Sequence, residues 1–258
     1  MEKKEKVGSY EFLAEPFHCD FNKHLTMGHL GNHLLNAADF HAEARGFGML
    51  YLSSIRRSWV LSRLTIEMNE MPHAYDHFTI ETWVESAMRY FTNRNFAVVN
   101  SDGHPIGYGR SVWAMIDTET RQPVNILEVN DGTLSGYVEP EKLCPIAKGT
   151  RVKMDEDALF VREIATGYSD IDVNGHVNSI KYIEHVLDLF PLSFHKHHRL
   201  QRIEIAYVAE TRFGNLLRFY QKEIEPATYC VRICKQQEKS DEEVEVVRCQ
   251  LSFKEKIV

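Results

Sequence analysis

Three observations on the sequence predict an α+β chain in which one unit is written twice. A helix-periodic stretch followed by strand-like runs occurs once before residue 118 and again after residue 174. Short segments of the two halves align: Met27-Gly28-His29-Leu30 with Asn174-Gly175-His176-Val177 at an offset of 147, and the six residues from Arg63 with the six from Arg202 at an offset of 139. Between the halves lies a stretch holding Gly132, Gly136, Pro140, Pro145 and Gly149 among charges, the composition of a connection. The chain is accordingly divided into an N-terminal unit (1–130), a linker (131–156) and a C-terminal unit (157–258).

Taken in order, residues 28–48 place Leu30, Leu34, Ala37, Ala38 and Ala42 at helical spacing, and Gly46 or Gly48 closes the helix. β-rich runs follow at 59–68, 78–85, 94–99 and 106–117, with Asn100-Ser101-Asp102-Gly103 reading as a hairpin turn. In the second half a helix is expected over 175–190, stopped by Pro191, with Val177, Ile180, Ile183 and Leu187 on one face. Strands are expected at 202–208, 217–223, 228–235 and 244–253, and a polar turn at 236–243.

Composition limits the function. The chain has 258 residues, 43% hydrophobic and 26% charged, and its 30 basic and 37 acidic side chains give a net charge of −7. That balance argues against nucleic acid as a partner. No run approaches the roughly 20 apolar residues of a membrane span, and no secretory or transit leader is recognised, so a cytoplasmic location is expected. Five scattered cysteines, with Cys230 and Cys234 four apart in a strand-like run, read as reduced, buried thiols. Thirteen histidines invite a metal reading, above all His195, His197 and His198. No Cys or His pair has zinc-site spacing, so that cluster is taken as a polar loop, and neither metal nor cofactor is expected.

The densest polar constellation is Ser169-Asp170-Ile171-Asp172-Val173-Asn174-Gly175-His176-Val177-Asn178, placed by the expected helix on its first turn. Two readings of it are open. Asp172 or Asn174 caps the helix and Gly175 permits the turn, or the free amides and the Asp, Asn and His side chains do chemistry. Under the 147 offset the first half has Leu25 opposite Asp172 and Met27 opposite Asn174, and under the 139 offset Met71 stands opposite Glu210. Capping is needed in both halves, so the asymmetry favours chemistry in the second. Strict alternation along the strand places Tyr207 and Glu210 on opposite faces, so Glu210 reaches the site only if the strand bulges or ends near Ala209.

The stretch from Asp172 to Tyr182, Asp-x-Asn-x-His-Val-Asn-x-x-x-Tyr, resembles the signature of the acyl-acyl carrier protein thioesterases of plants and bacteria, within the hot-dog superfamily. Trp59-Val60-Leu61-Ser62-Arg63, Thr82-Trp83-Val84, Ser111-Val112-Trp113-Ala114-Met115 and Tyr207-Val208-Ala209-Glu210 stand in the same order as counterparts there, so the resemblance runs from about residue 9 to 255. It implies a tandem double hot-dog, each unit a long helix wrapped by an antiparallel sheet. It further implies hydrolysis of the carrier-protein thioester to a free fatty acid, with Asp172, Asn174, His176 and Glu210 as the active-site set. Plant members often have Cys after that Glu. This chain has Thr211, which rules out a Cys–His nucleophile there.

For the chemistry, either Asp172 or Glu210 activates water or attacks directly, the Gly175 and His176 amides polarise the carbonyl, Asn174 orients, and His176 moves a proton. The family places the acyl tunnel largely in the first unit, where Met27, Met49, Trp59, Met68, Met71 and Trp83 are candidate lining, with ordinary core packing as the competing reading. An acidic carrier needs a basic rim on an acidic chain; Arg56, Arg57, Lys181, Lys196, Arg199, Arg202 and Arg212 are the candidates. A coenzyme A thioesterase of the same fold, or a non-hydrolytic or dehydratase-like acyl binder, is the alternative, and monomer and homodimer are both open.

Overall fold

The computed structural model describes residues 4–149, 152, 157–236 and 242–256. The chain divides into two compact units, Met1–Lys148 and Gly149–Val258. No helix among the described residues is long and apolar enough to cross a membrane.

In the first unit, strands β1 (Gly8–Leu13), β2 (Arg57–Met68), β3 (His77–Ala87), β4 (Phe91–Asn100) and β5 (Pro105–Asp117) lie in the order β1-β3-β4-β5-β2. Every neighbouring pair is antiparallel. Helix α1 (Met27–Glu43) packs on β1 and β3. Its apolar spacing predicts the buried stripe of Leu30, Leu34, Ala37, Ala38 and Ala42. The helix expected to run to residue 48 ends at Glu43, because the chain turns through Gly46 at φ +77°, and a short α2 (Met49–Ser54) follows. The hairpin turn lies where expected: the Asn100 side chain accepts the Asp102 and His104 amides, and Gly103 has φ +81°.

The expected linker is only partly a linker. Residues 131–148 are laid onto the first unit: Leu134 enters its core, Val138 bridges to Val84, and Trp83 Nε1 donates to the Lys142 carbonyl at 3.0 Å. Arg110 donates to the carbonyls of Cys144 (2.6 Å) and Ile146 (3.0 Å). A Gly- and Pro-rich composition therefore marked an irregular strap rather than a free connection. Residues 150, 151 and 153–156 lie outside the described residues, as does most of the turn expected at 236–243.

In the second unit, β6 (Leu159–Ala165), β7 (His198–Tyr207), β8 (Leu216–Glu225), β9 (Thr228–Gln236) and β10 (Glu243–Glu255) are ordered β6-β8-β9-β10-β7, which repeats the order of the first unit. The register repeats as well: Leu13 pairs with His77, and Ala165 pairs with Leu216. The edge strands β1 and β6 were not foreseen; β1 is a mix of buried, half-buried and exposed positions and β6 is almost wholly exposed, so neither has a clean alternation. Helix α3 (Ser179–Leu187) is shorter than the helix expected over 175–190, and a separate α4 (Leu192–His197) follows Pro191. The three histidines expected in a loop end α4 and start β7, where His198 stacks on Phe194. All five cysteines are free, and Cys230 and Cys234 are buried on β9.

His41, on the inner face of α1, is wholly buried. Its Nε2 bonds the Lys6 carbonyl at 2.9 Å while Nδ1 has no partner. Burial, with the nearby Arg94 and Arg45 charges against it, drives its pKa from 6.5 to about 3. The unfolded chain therefore takes up a proton here below about pH 6.5 while the folded chain does not, so stability is lost as pH falls toward 3. Urea unfolding between pH 6 and 4 should show the wild type losing about 1.4 kcal/mol per pH unit more than His41→Gln; parallel pH profiles would show that His41 is not held neutral.

Candidate active site

The polar constellation folds into a closed loop ahead of α3. Asp172 Oδ1 accepts the amides of Asn174 (2.8 Å) and His176 (3.3 Å). The Asp172 amide donates to the His176 carbonyl (2.8 Å), and the Gly175 amide donates to the Asp172 carbonyl (3.0 Å). Gly175 takes φ +77°, the left-handed turn position that a Cβ makes costly. The helix begins only at Ser179, and its cap is Asn178, whose side chain accepts the Ile180 amide at 2.8 Å.

The capping reading, left open on the sequence, fails, and one expectation changes. Neither Asp172 nor Asn174 caps the helix. The amides of Gly175 and His176, expected to polarise a substrate carbonyl from the helix N-terminus, precede the helix and already donate within the loop.

Glu210 reaches the loop because β7 ends at Tyr207. The next two amides, Val208 and Ala209, both point at the Val246 carbonyl (2.9 and 3.3 Å), a bulge that resets the alternation. Val177 then ties the loop to this segment by donating to the Thr211 carbonyl (2.8 Å). The Glu210 carboxylate lies 3.2 Å from His176 Nε2, and Lys235 Nζ donates to the Glu210 carbonyl at 2.5 Å. The Asn174 side chain is exposed.

Sequence reasoning missed the layer behind the site. Asp170 accepts from His185 (3.0 Å) and from the Gly167 amide (2.7 Å), and Tyr207 donates its hydroxyl to the Ser179 carbonyl (2.9 Å). Tyr182 is buried against Thr211. Burial, with the Asp170, Asp172 and Glu210 charges adding to it, pushes its hydroxyl up to about 12, so it stays a neutral donor. The i, i+15 spacing of Asp170 and His185 carries no local periodicity that could have revealed the pair.

The first unit contains the same loop at an offset of 152, not 147. Asp20 Oδ1 accepts the amides of Asn22 (2.8 Å) and His24 (3.1 Å), the Asp20 amide donates to the His24 carbonyl, and the Lys23 amide donates to the Asp20 carbonyl. Lys23 takes the left-handed position of Gly175, with φ 63°. The Leu25 amide donates to the Pro72 carbonyl as Val177 does to Thr211, which leaves Met71 in the place of Glu210. The supposed absence of Asp and Asn from the first unit was a register error. The residue that separates the two loops is Glu210.

The other expected residues are scattered. Met27, Met68 and Trp83 are buried packing residues, and Met49 is exposed. Trp59 packs on the cluster of Ala42, Phe47, Leu52, Val84, Met115, Ile126 and Leu134, while Trp83 belongs to another, with Ala97, Cys144 and Ile146. Met71 is half-buried. Of the basic candidates, Arg56 pairs with Glu119, Arg57 with Asp117, Lys181 with Glu184 and Arg202 with Glu204. Arg199 is half-buried at the start of β7. Lys196 and Arg212 are exposed and make no ion pair among the described residues. Arg212 adjoins an open cleft of about 630 Å³ lined by Tyr168, Ser169, Ile171, Asp172, Val173 and Phe213.

Comparison with known proteins places the fold. The acyl-ACP thioesterase N-terminal domain matches residues 6–131, and the acyl-ACP thioesterase C-terminal domain matches residues 153–255. The chain belongs to the acyl-ACP thioesterase family. A solved acyl-ACP thioesterase from Bacteroides thetaiotaomicron is 48% identical, with a TM-score of 0.88 over 96% of this chain and 98% of that one. The 12:0-ACP thioesterase from Umbellularia californica shares the fold at 21% identity, with a TM-score of 0.83 over 99% of this chain and 100% of that one. Both likenesses bear out the expected tandem hot-dog fold. The oleoyl-acyl carrier protein thioesterase 2 of Arabidopsis thaliana is 27% identical over 80% of this chain, which spans 60% of that relative's length.

If Asp172 holds its loop as Asp20 holds the first, Asp172→Ala and Asp20→Ala should each lower stability by about 1 kcal/mol in chemical denaturation, since each leaves two amides without their acceptor. An Asp172→Ala variant as stable as the wild type would remove this structural role.

Proposed function

We propose that this member of the family hydrolyses the thioester of an acyl-acyl carrier protein, releasing free fatty acid and ending chain elongation, and that Glu210 and His176 carry the chemistry. The observation that supports this reading is the His176–Glu210 pair at 3.2 Å, a carboxylate–imidazole pair that the loop of the first unit lacks because Met71 stands in the place of Glu210. Asp172 becomes the positioning group, because Oδ1 already accepts two amides.

Glu210, partly exposed, takes a proton from a water whose oxygen bonds the thioester carbonyl carbon. The negative charge that develops on the carbonyl oxygen needs a donor, and the exposed Asn174 side-chain amide supplies it in place of the loop amides. Collapse breaks the carbon–sulfur bond. The departing thiolate receives the proton held by Glu210 through the His176 imidazole, leaving carboxylic acid, thiol and the starting enzyme. Exposed Tyr168, Val173 and Phe213 give the cleft apolar contacts for the thioester arm, and Arg212 and Lys196 are the uncompensated charges for an acidic carrier.

Thiol release from carrier-protein thioesters of several chain lengths tests the reading. Glu210→Gln should lower kcat by about 10²–10⁴-fold while folding normally; unchanged turnover, or no release from any substrate by the wild type, would overturn it. Reversing charge in Lys196→Glu/Arg212→Glu should raise KM for the carrier-linked substrate and flatten its salt dependence, leaving the same acyl group on coenzyme A unaffected. An equal loss on both thiol carriers would remove these residues from carrier recognition.

A further inference from the structure

The first unit carries a second cluster of chemistry-bearing side chains, drawn from both sides of its Asp20 loop in sequence. Glu15, His18 and His33 place a carboxylate oxygen and two imidazole nitrogens within 4.8 Å of one another. Glu15 Oε2 lies 3.1 Å from His18 Nδ1 and 3.8 Å from His33 Nε2. A tetrahedral zinc with bonds of about 2.0–2.1 Å holds its ligand atoms roughly 3.3 Å apart, so these separations straddle what such an ion needs.

The internal repeat supplies a control. At the offset of 152, the second unit has Gly167, Asp170 and His185 in these places, and there the bonds close: Asp170 accepts both the His185 ring and the Gly167 amide. In the first unit His18 replaces the aspartate and Glu15 is added. His33 is then left with both ring nitrogens buried and without a hydrogen bond, an arrangement that costs free energy unless something binds there. The rings of His18 and His29 stack at 4.0 Å, and the His29 ring meets the Thr26 hydroxyl at 2.8 Å, which fixes the His18 plane.

We propose that Glu15, His18 and His33 form a divalent transition-metal site of the zinc class, with water completing the coordination, that clamps the Pro16–His18 turn to α1. Two imidazoles and one carboxylate suit zinc or cobalt rather than magnesium or calcium. The side chains of Glu15 and His18 are 43% and 41% exposed, so an ion has access, while His33 at 13% is the buried anchor.

The sequence showed none of this, because Glu15-x-x-His18 and His33, fifteen residues on, match no familiar zinc spacing. Titration of the full chain with Co²⁺, followed by visible absorption and by competition with Zn²⁺, tests the site. One equivalent should bind, give low-coordinate Co²⁺ bands and raise Tm. Glu15→Gln and His33→Gln should each weaken binding at least about tenfold and abolish the Tm rise, whereas His195→Gln/His197→Gln should bind as the wild type does. Glu15 is partly exposed, so its variant reads the site even if His33→Gln fails to fold. Absence of binding, binding undiminished in Glu15→Gln, or binding lost in His195→Gln/His197→Gln would overturn the proposal.

Discussion

One carboxylate oxygen, Asp172 Oδ1, accepts two amides of its own loop, and the direction of the polar side chains around it depends on that contact. With the Asn174 and His176 amides held inward, the Asn174 side chain faces solvent and the His176 ring faces Glu210. The left-handed Gly175 lets the chain reverse within four residues, and the Val177 amide fastens the turn to the end of β7. That fastening has a second effect. It brings the bulge at Val208 and Ala209 beside the loop, and the bulge carries Glu210 to the imidazole.

The same construction in the first unit separates architecture from chemistry. Asp20, Asn22 and His24 reproduce the turn, so Asp, Asn and His at this spacing are what a hairpin ahead of the helix requires. What the second loop adds is a carboxylate opposite the imidazole. Met71 occupies that place in the first unit, and its thioether has no charge with which to activate water. The first unit has instead placed Glu15 and His18 shortly before the loop, where they converge with His33 of α1. Duplication thus left one turn geometry and two different settings around it.

Much of this was legible in the sequence, and the failures have physical causes. Hydrophobic spacing gave α1 and eight of the strands, and the strand offset of 139 is the true one. The loop offset was misread because the left-handed position is Gly175 in one copy and Lys23 in the other. The first turn has no glycine, and Gly28-His29, the pair that matches Gly175-His176 in the sequence, lies inside α1. Once the register slipped, capping seemed to be excluded by an asymmetry that does not exist, and the second helix was extended over the loop. Glu210 was legible as a candidate, and alternation named a bulge or strand end near Ala209 as the condition for its reach, which the two amides sharing the Val246 carbonyl meet. The layer behind it, Asp170 with His185 and Tyr182 with Thr211, joins residues whose separation along the chain follows no period.

The account rests on Glu210 being the difference between an active loop and a structural one, and Glu210→Met, which gives the second unit the residue of the first, tests it most directly. Thiol release from an acyl-carrier substrate by this variant should fall at least about 100-fold while its stability and loop amide protection match the wild type. Release within a few-fold of the wild type would contradict the account and return the chemistry to Asp172.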